Sequence, residues 1–144
     1  MPAGRSQVAY DDIGYDAITL KADGVSILYD ATQPNGIAAA VTGRACTLSA
    51  ADTVALAADA EAVIGKLIKL ESTGGVVWAT VQNKGMATFG AGTAAATTPG
   101  TKIVGALLVA AKGYVRSAVA AESPKQHGQI INAAVSTAVV VDLG

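Results

Sequence analysis

The sequence has little of what most protein chemistry needs: one histidine, one cysteine and 15% charged side chains in 144 residues. A structural zinc site takes four nitrogen or sulfur ligands and a catalytic one usually three. His127, in the polar stretch Pro124-Lys125-Gln126-His127-Gly128-Gln129, and the distant Cys46 supply no such set. A single cysteine forms no internal disulfide, and Cys46 reads as a small buried filler rather than a nucleophile. Serine, aspartate and histidine are all present, but no Gly-x-Ser-x-Gly elbow occurs. Glu61, Glu71 and Glu122 stand apart, so no carboxylate pair is set up for glycoside hydrolysis. Gly90-Ala91-Gly92-Thr93-Ala94-Ala95 has the letters of a dinucleotide fingerprint, yet Thr97-Thr98-Pro99-Gly100 would stop the helix that must hold the pyrophosphate. The expectation is a protein that is not an enzyme and holds no metal or cofactor.

The charges exclude further classes. The formal net charge is −1 and no Lys/Arg cluster exists, which argues against a nucleic-acid partner, since phosphates call for a basic stripe. No stretch approaches the roughly 20 apolar residues of a membrane helix. The start, Met1-Pro2-Ala3-Gly4-Arg5-Ser6-Gln7, lacks the apolar core of a signal peptide. A chain made in a cytoplasm and remaining soluble is expected. The scarcity of charge also suggests that part of the surface is covered in the working state, by self-association or by docking on a larger body.

What is present is glycine, alanine and short aliphatic runs. The hydrophobic fraction is 51%, but 31 residues are alanine. A buried CH₂ is worth about 0.8 kcal/mol and alanine has one methyl to offer. Such a core needs very close backbone packing or a partner. The 16 glycines fall between short Val/Ile/Leu-rich segments, as turns punctuate strands. Strands are predicted at 17–20, 25–29, 53–57, 63–70, 76–81, 86–89, 103–111, 114–119, 129–132 and 138–143. Asp23-Gly24 is read as a hairpin turn into Val25–Tyr29, Pro34-Asn35-Gly36 as a loop, and Ser72-Thr73-Gly74-Gly75 as a hairpin turn. Lys84-Gly85 and Lys112-Gly113 look like the turns of two similar hairpins, and Gly90 to Gly100 like a flexible spacer. Ser49-Ala50-Ala51-Asp52 matches a helix capping box, but Val54 and Leu56 alternate, so strand is preferred to a short helix within 49–62. The unbroken Val139-Val140-Val141 run suits a strand covered on both faces. Trp78, between Val77 and Val81, is expected in the core.

Many short strands point to an all-β fold: a small β-sandwich or barrel of short antiparallel strands with Gly-rich hairpins. Residues 1–16 fall outside that scheme and read as an extended N-terminal arm on a single β-rich domain, 17–144. The arm mixes Tyr10, Ile13 and Tyr15 with Asp11, Asp12 and Asp16.

From Thr53 to Leu143 the order of features resembles the capsid decoration (cement, or head-fibre-like) proteins of tailed bacteriophages. The resemblance runs through Thr53-Val54-Ala55-Leu56-Ala57, Val63-Ile64-Gly65-Lys66-Leu67 and Val77-Trp78-Ala79-Thr80-Val81-Gln82-Asn83-Lys84-Gly85. It continues in Ile103-Val104-Gly105, Gly113-Tyr114-Val115-Arg116 and Ala138-Val139-Val140-Val141-Asp142-Leu143. It is one of pattern, Gly/Ala/Thr-rich with few aromatics, and the stretch before Thr53 is not part of it. It implies a homotrimer that adds to the outer surface of an assembled phage head, contacts the major capsid protein and stabilises the shell. Tyr10, Ile13 and Tyr15 are then the candidate contact residues. A carbohydrate-binding or adhesive β-module and a small hydrolase are the alternatives.

Overall fold

The computed structural model describes residues 15–92, 97–119, 122, 129–135 and 137–144. Tyr10, Ile13, Asp11, Asp12 and His127 lie outside these residues. The fold is all-β, with ten strands among the described residues: β1 (Asp16–Ala22), β2 (Ala45–Ala50), β3 (Thr53–Leu56), β4 (Gly65–Thr73), β5 (Val76–Lys84), β6 (Met86–Gly90), β7 (Ile103–Leu108), β8 (Ala111–Ser117), β9 (Gln129–Val135) and β10 (Ala138–Asp142). One 3₁₀ turn, Ala39–Val41, is the only helical element among the described residues.

Strands β1 to β5 close a barrel in the order β1-β3-β2-β4-β5. Alternation drives it: on β5, Ala79 and Val81 are fully buried while Trp78 and Thr80 face outward. Leu67 and Leu70 of β4 are three apart, yet both point inward, because a register shift between Leu67 and Lys69 resets the alternation. Closure departs from the expected antiparallel pattern, since β1 runs parallel to β3 with Lys21 opposite Thr53. Asp16, assigned above to the arm, already belongs to β1 and pairs with Lys84.

Val25–Tyr29 is not a strand. The Asp23 carboxylate accepts the backbone N–H groups of Val25 (3.2 Å), Ser26 (3.1 Å) and Ile27 (2.9 Å) and the Ser26 hydroxyl (2.7 Å), winding the chain into bends. Burial raises this carboxyl, but the bonds from Ser26, Ile27 and Val25 outweigh it and hold it below the usual range. Ile27 and Ile37 then drop into the barrel core, leaving Val25 and Leu28 exposed. The loop is fixed where Gly36, at φ 73°, passes so close to Leu70 that a Cβ would lie 2.3 Å from its carbonyl oxygen.

The remaining strands form a three-stranded sheet, β6-β10-β9, and a hairpin, β7-β8. Neither Lys-Gly dipeptide is a hairpin turn. At Lys84-Gly85 the chain leaves the barrel, with the Gln82 amide donating to Lys84 O and Met86 O (3.0 Å each). Lys112-Gly113 lies inside β8, and the β7-β8 turn is Val109-Ala110. Ser49-Ala50 ends β2 and Ala51-Asp52 is the β2-β3 turn, with Asp52 at φ 54°, so the preference for strand over helix holds. The Val139-Val140-Val141 run is buried at Val139 and Val141 and half-covered at Val140. Gly90–Gly92 is packed rather than free: a Cβ on Gly90 would meet the Tyr114 ring at 2.6 Å, and one on Gly92 would meet Ala106 at 2.5 Å. These glycines serve close packing of β6 against the hairpin.

Two clusters of buried side chains follow this division. Ile27, Leu56, Leu67, Leu70 and Val81 fill the barrel with Cys46, whose thiol is pushed up to about 12 by burial and by the Asp23 charge. Phe89, Ile103, Val115, Ile130, Val139 and Val141 fill the second region. Between them the backbones nearly touch. A Cβ on Gly105 would sit 2.2 Å from Ala58 O, and Gly105 exchanges hydrogen bonds with Ala60 and Glu61 (3.0 and 2.8 Å). Arg116 adds an ionic clasp, donating to Asp59 from the loop before β4 (2.9 Å) and to Glu122 (3.0 Å). Close backbone approach is how an alanine-rich chain gains density.

Candidate interaction surface

Among the described residues no group of three His, Cys, Asp or Glu side chains converges as a metal site, and the three glutamates are tied into structure. Glu61 caps Ala58 N–H (2.8 Å), Glu71 pairs with Lys69 (2.6 Å), and Glu122 pairs with Arg116. The Arg116 guanidinium and the Val119 N–H hold the Glu122 carboxyl below its ordinary range. Among the described residues no helix is long and apolar enough to cross a membrane.

Surface chemistry is instead apolar. A groove of about 380 Å³ opens on the barrel wall where β1, β2 and β5 meet the loop before β4. Ile18 and Leu20 come from β1, Leu48 from β2 and Val63 and Ile64 from the loop, with Asp52, Asn83 and Lys84 among the polar residues. Leu48 is 53% exposed and Ile18 38%, values that belong to a contact surface rather than a core. The Asn83 amide oxygen is buried with no hydrogen-bond partner among the described residues, an unsatisfied acceptor in the wall of the groove.

Tyr15, the one arm candidate within the described residues, is 43% exposed. It immediately precedes Asp16, which pairs with the groove residue Lys84, so the arm joins the barrel beside the groove. Sequence reasoning found Tyr15 as an aromatic among acids but missed Ile18, Leu48 and Ile64. Each of these reads locally as an ordinary strand residue.

Trp78 is not a core residue. It is half-buried on the outer barrel face, opposite Lys21 on one side and Glu71 on the other, with the Lys21 Nζ 6.0 Å from the ring centroid. Tyr114 is held between the Arg44 guanidinium, 4.2 Å from its ring centroid, and the backbone at Gly90. Arg44 is anchored in turn on the carbonyls of Ala40 (2.5 Å) and Lys112.

The chain matches no protein-family model, no curated protein and no solved structure.

Proposed function

We propose that this protein is a structural decoration protein of a tailed-phage head: it binds the outer surface of the assembled shell, associates with copies of itself as a homotrimer, and stabilises the shell mechanically rather than by catalysis. The observation that carries the reading is the exposed aliphatic groove beside the point where the arm joins the barrel. A tightly packed β-domain with its glutamates engaged and several aliphatic side chains, Ile18 and Leu48 among them, exposed is suited to burying surface against a partner. The resemblance in sequence pattern supplies the partner, the major capsid protein. Many copies, each with a modest interface, add their burial over a shell, and an arm gains contact area on ordering at the expense of its own entropy.

In this reading Tyr10, Ile13 and Tyr15 contact the capsid. The triple variant Tyr10→Ser, Ile13→Ser, Tyr15→Ser keeps the far-ultraviolet circular dichroism of the parent and loses at least tenfold in affinity for assembled shells from its own source. Equal binding by the variant overturns the arm's role.

Trp78, half-exposed between Lys21 and Glu71, favours a second reading as a carbohydrate-binding or adhesive module, because a ring flanked by charged groups can stack on a sugar. Glycan-array binding that disappears in Trp78→Ala supports that reading over the first.

A further inference from the structure

The tip of the β7-β8 hairpin breaks a local rule. Leu108 pairs with Ala111, so Val109 and Ala110 are the whole connection. Val109 has φ 61°, a conformation that crowds a branched Cβ and that two-residue hairpins give to glycine or asparagine. Its side chain is also 86% exposed, the most exposed large hydrophobic among the described residues. The chain uses glycine freely elsewhere in open turns: Gly24, Gly74 and Gly100 have positive φ with nothing near a would-be Cβ. A strained backbone that presents an apolar side chain to solvent gains nothing within one copy, and such strain points to use.

The same chain carries a complement. The groove is apolar at Ile18, Leu48 and Val63 and, at about 380 Å³, exceeds roughly ten times the ~30 Å³ share of a water molecule, which leaves room for a valine and the turn that bears it. Asp52 stands among its lining residues, while exposed Lys112 follows Val109 by three residues on the hairpin. The groove is therefore apolar with one acid, Asp52, and one base, Lys84, in its lining, and the hairpin tip is apolar with one base, Lys112. Size and polarity agree, and Asp52 offers Lys112 an opposite charge.

We propose that the hairpin tip of one copy seats Val109 in the Ile18/Leu48/Val63 groove of the next copy, with Lys112 facing Asp52. The contact is head-to-tail, so it closes into a ring when the rotation between copies allows. It rests on the self-association part of the proposed function and gives that association its surfaces.

The test uses the full chain with Val109→Gly and with Leu48→Asp, followed by sedimentation velocity and thermal unfolding. Val109→Gly raises the thermal midpoint of the dilute protein, because the strain is relieved, and weakens self-association at least tenfold. Leu48→Asp, at a half-exposed position, weakens association similarly with the midpoint nearly unchanged. Mixed one to one, the two variants form a heterodimer, since one retains its groove and the other its hairpin. A parent that self-associates while Val109→Gly associates equally well overturns this inference alone, as does a mixture that stays monomeric. Loss of association only on removal of residues 1–14 also overturns it and makes the arm the occupant. A parent that is monomeric at every concentration overturns the self-association reading itself, leaving shell binding to be measured separately.

Discussion

The barrel and the second region solve the problem of an alanine-rich core in different ways. In the barrel each strand has two neighbours and the interior is filled by Ile, Leu and Val with a single fully buried alanine, Ala79, among the cluster's described members. The second region has edges: β6 and β9 each have one partner strand in their sheet, and single bridges, Ala91 to Val115 and Lys102 to Gln129, stitch it to the β7-β8 hairpin and the stretch before it. Its cluster includes Ala45, Ala57, Ala87 and Ala91, with Phe89 as the one large ring. Closure removes edges outright, whereas the open region relies on the Arg116 clasp and on glycine contacts. The proposed contact between copies follows the same division, for the groove belongs to the barrel and the strained hairpin tip to the open region.

Removing the main side chain of each core breaks the comparison most strongly. Phe89→Ala is expected to cost about 3–5 kcal/mol and Leu67→Ala about 2–5 kcal/mol, the spread depending on how far each site collapses. Urea unfolding followed at Trp78, on the barrel wall, and by amide exchange in β9 and β10 distinguishes the regions. Phe89→Ala should raise exchange in β9 and β10 while the barrel amides stay protected, and Leu67→Ala should destabilise both regions. Equal loss of protection everywhere in Phe89→Ala would mean that the two regions are a single cooperative unit.

Acid produces a smaller effect that sharpens the same contrast. Asp23 in the barrel and Glu122 in the open region both titrate below their ordinary values. A carboxyl lowered on folding contributes stability above its unfolded pKa, about 4, and loses it as pH falls through the lower folded value. The urea midpoint should be flat from pH 7 to 5 and fall below about pH 4. Glu122→Gln should lower the midpoint at pH 7 and flatten the acid limb. Smallest of all is Lys69→Gln, which breaks an exposed pair on the barrel wall (Lys69 to Glu71, 2.6 Å) and should leave the midpoint unchanged within error.

Most of the strand content was legible because it is local, although β2 (Ala45–Ala50) was not among the predicted strands. The alternation of Val54 with Leu56 and of Val77, Ala79 and Val81 marks strands, and Gly74-Gly75 marks the β4-β5 turn. Barrel closure left no such signal, since the parallel pairing of β1 with β3 joins Lys21 to Thr53 across the intervening loop and β2. Asp23-Gly24 carried a true turn signal, but the carboxylate takes three successive N–H groups and so ends the strand instead of reversing it. The Val109 turn was hidden for the opposite reason: Leu107-Leu108-Val109-Ala110-Ala111 contains no turn residue at all. The groove gathers residues from positions 18, 48, 64 and 83, each unremarkable in its own segment.

If the chain is a component of an assembled shell, it travels with the shells. Particles purified from cells that produce the gold-tagged full chain, imaged by electron microscopy, test this most directly. The expected result is label at regular positions on the outside of icosahedral shells, at a constant number of copies per particle. Label found only in the soluble fraction, with unlabelled shells in the same preparation, would contradict it.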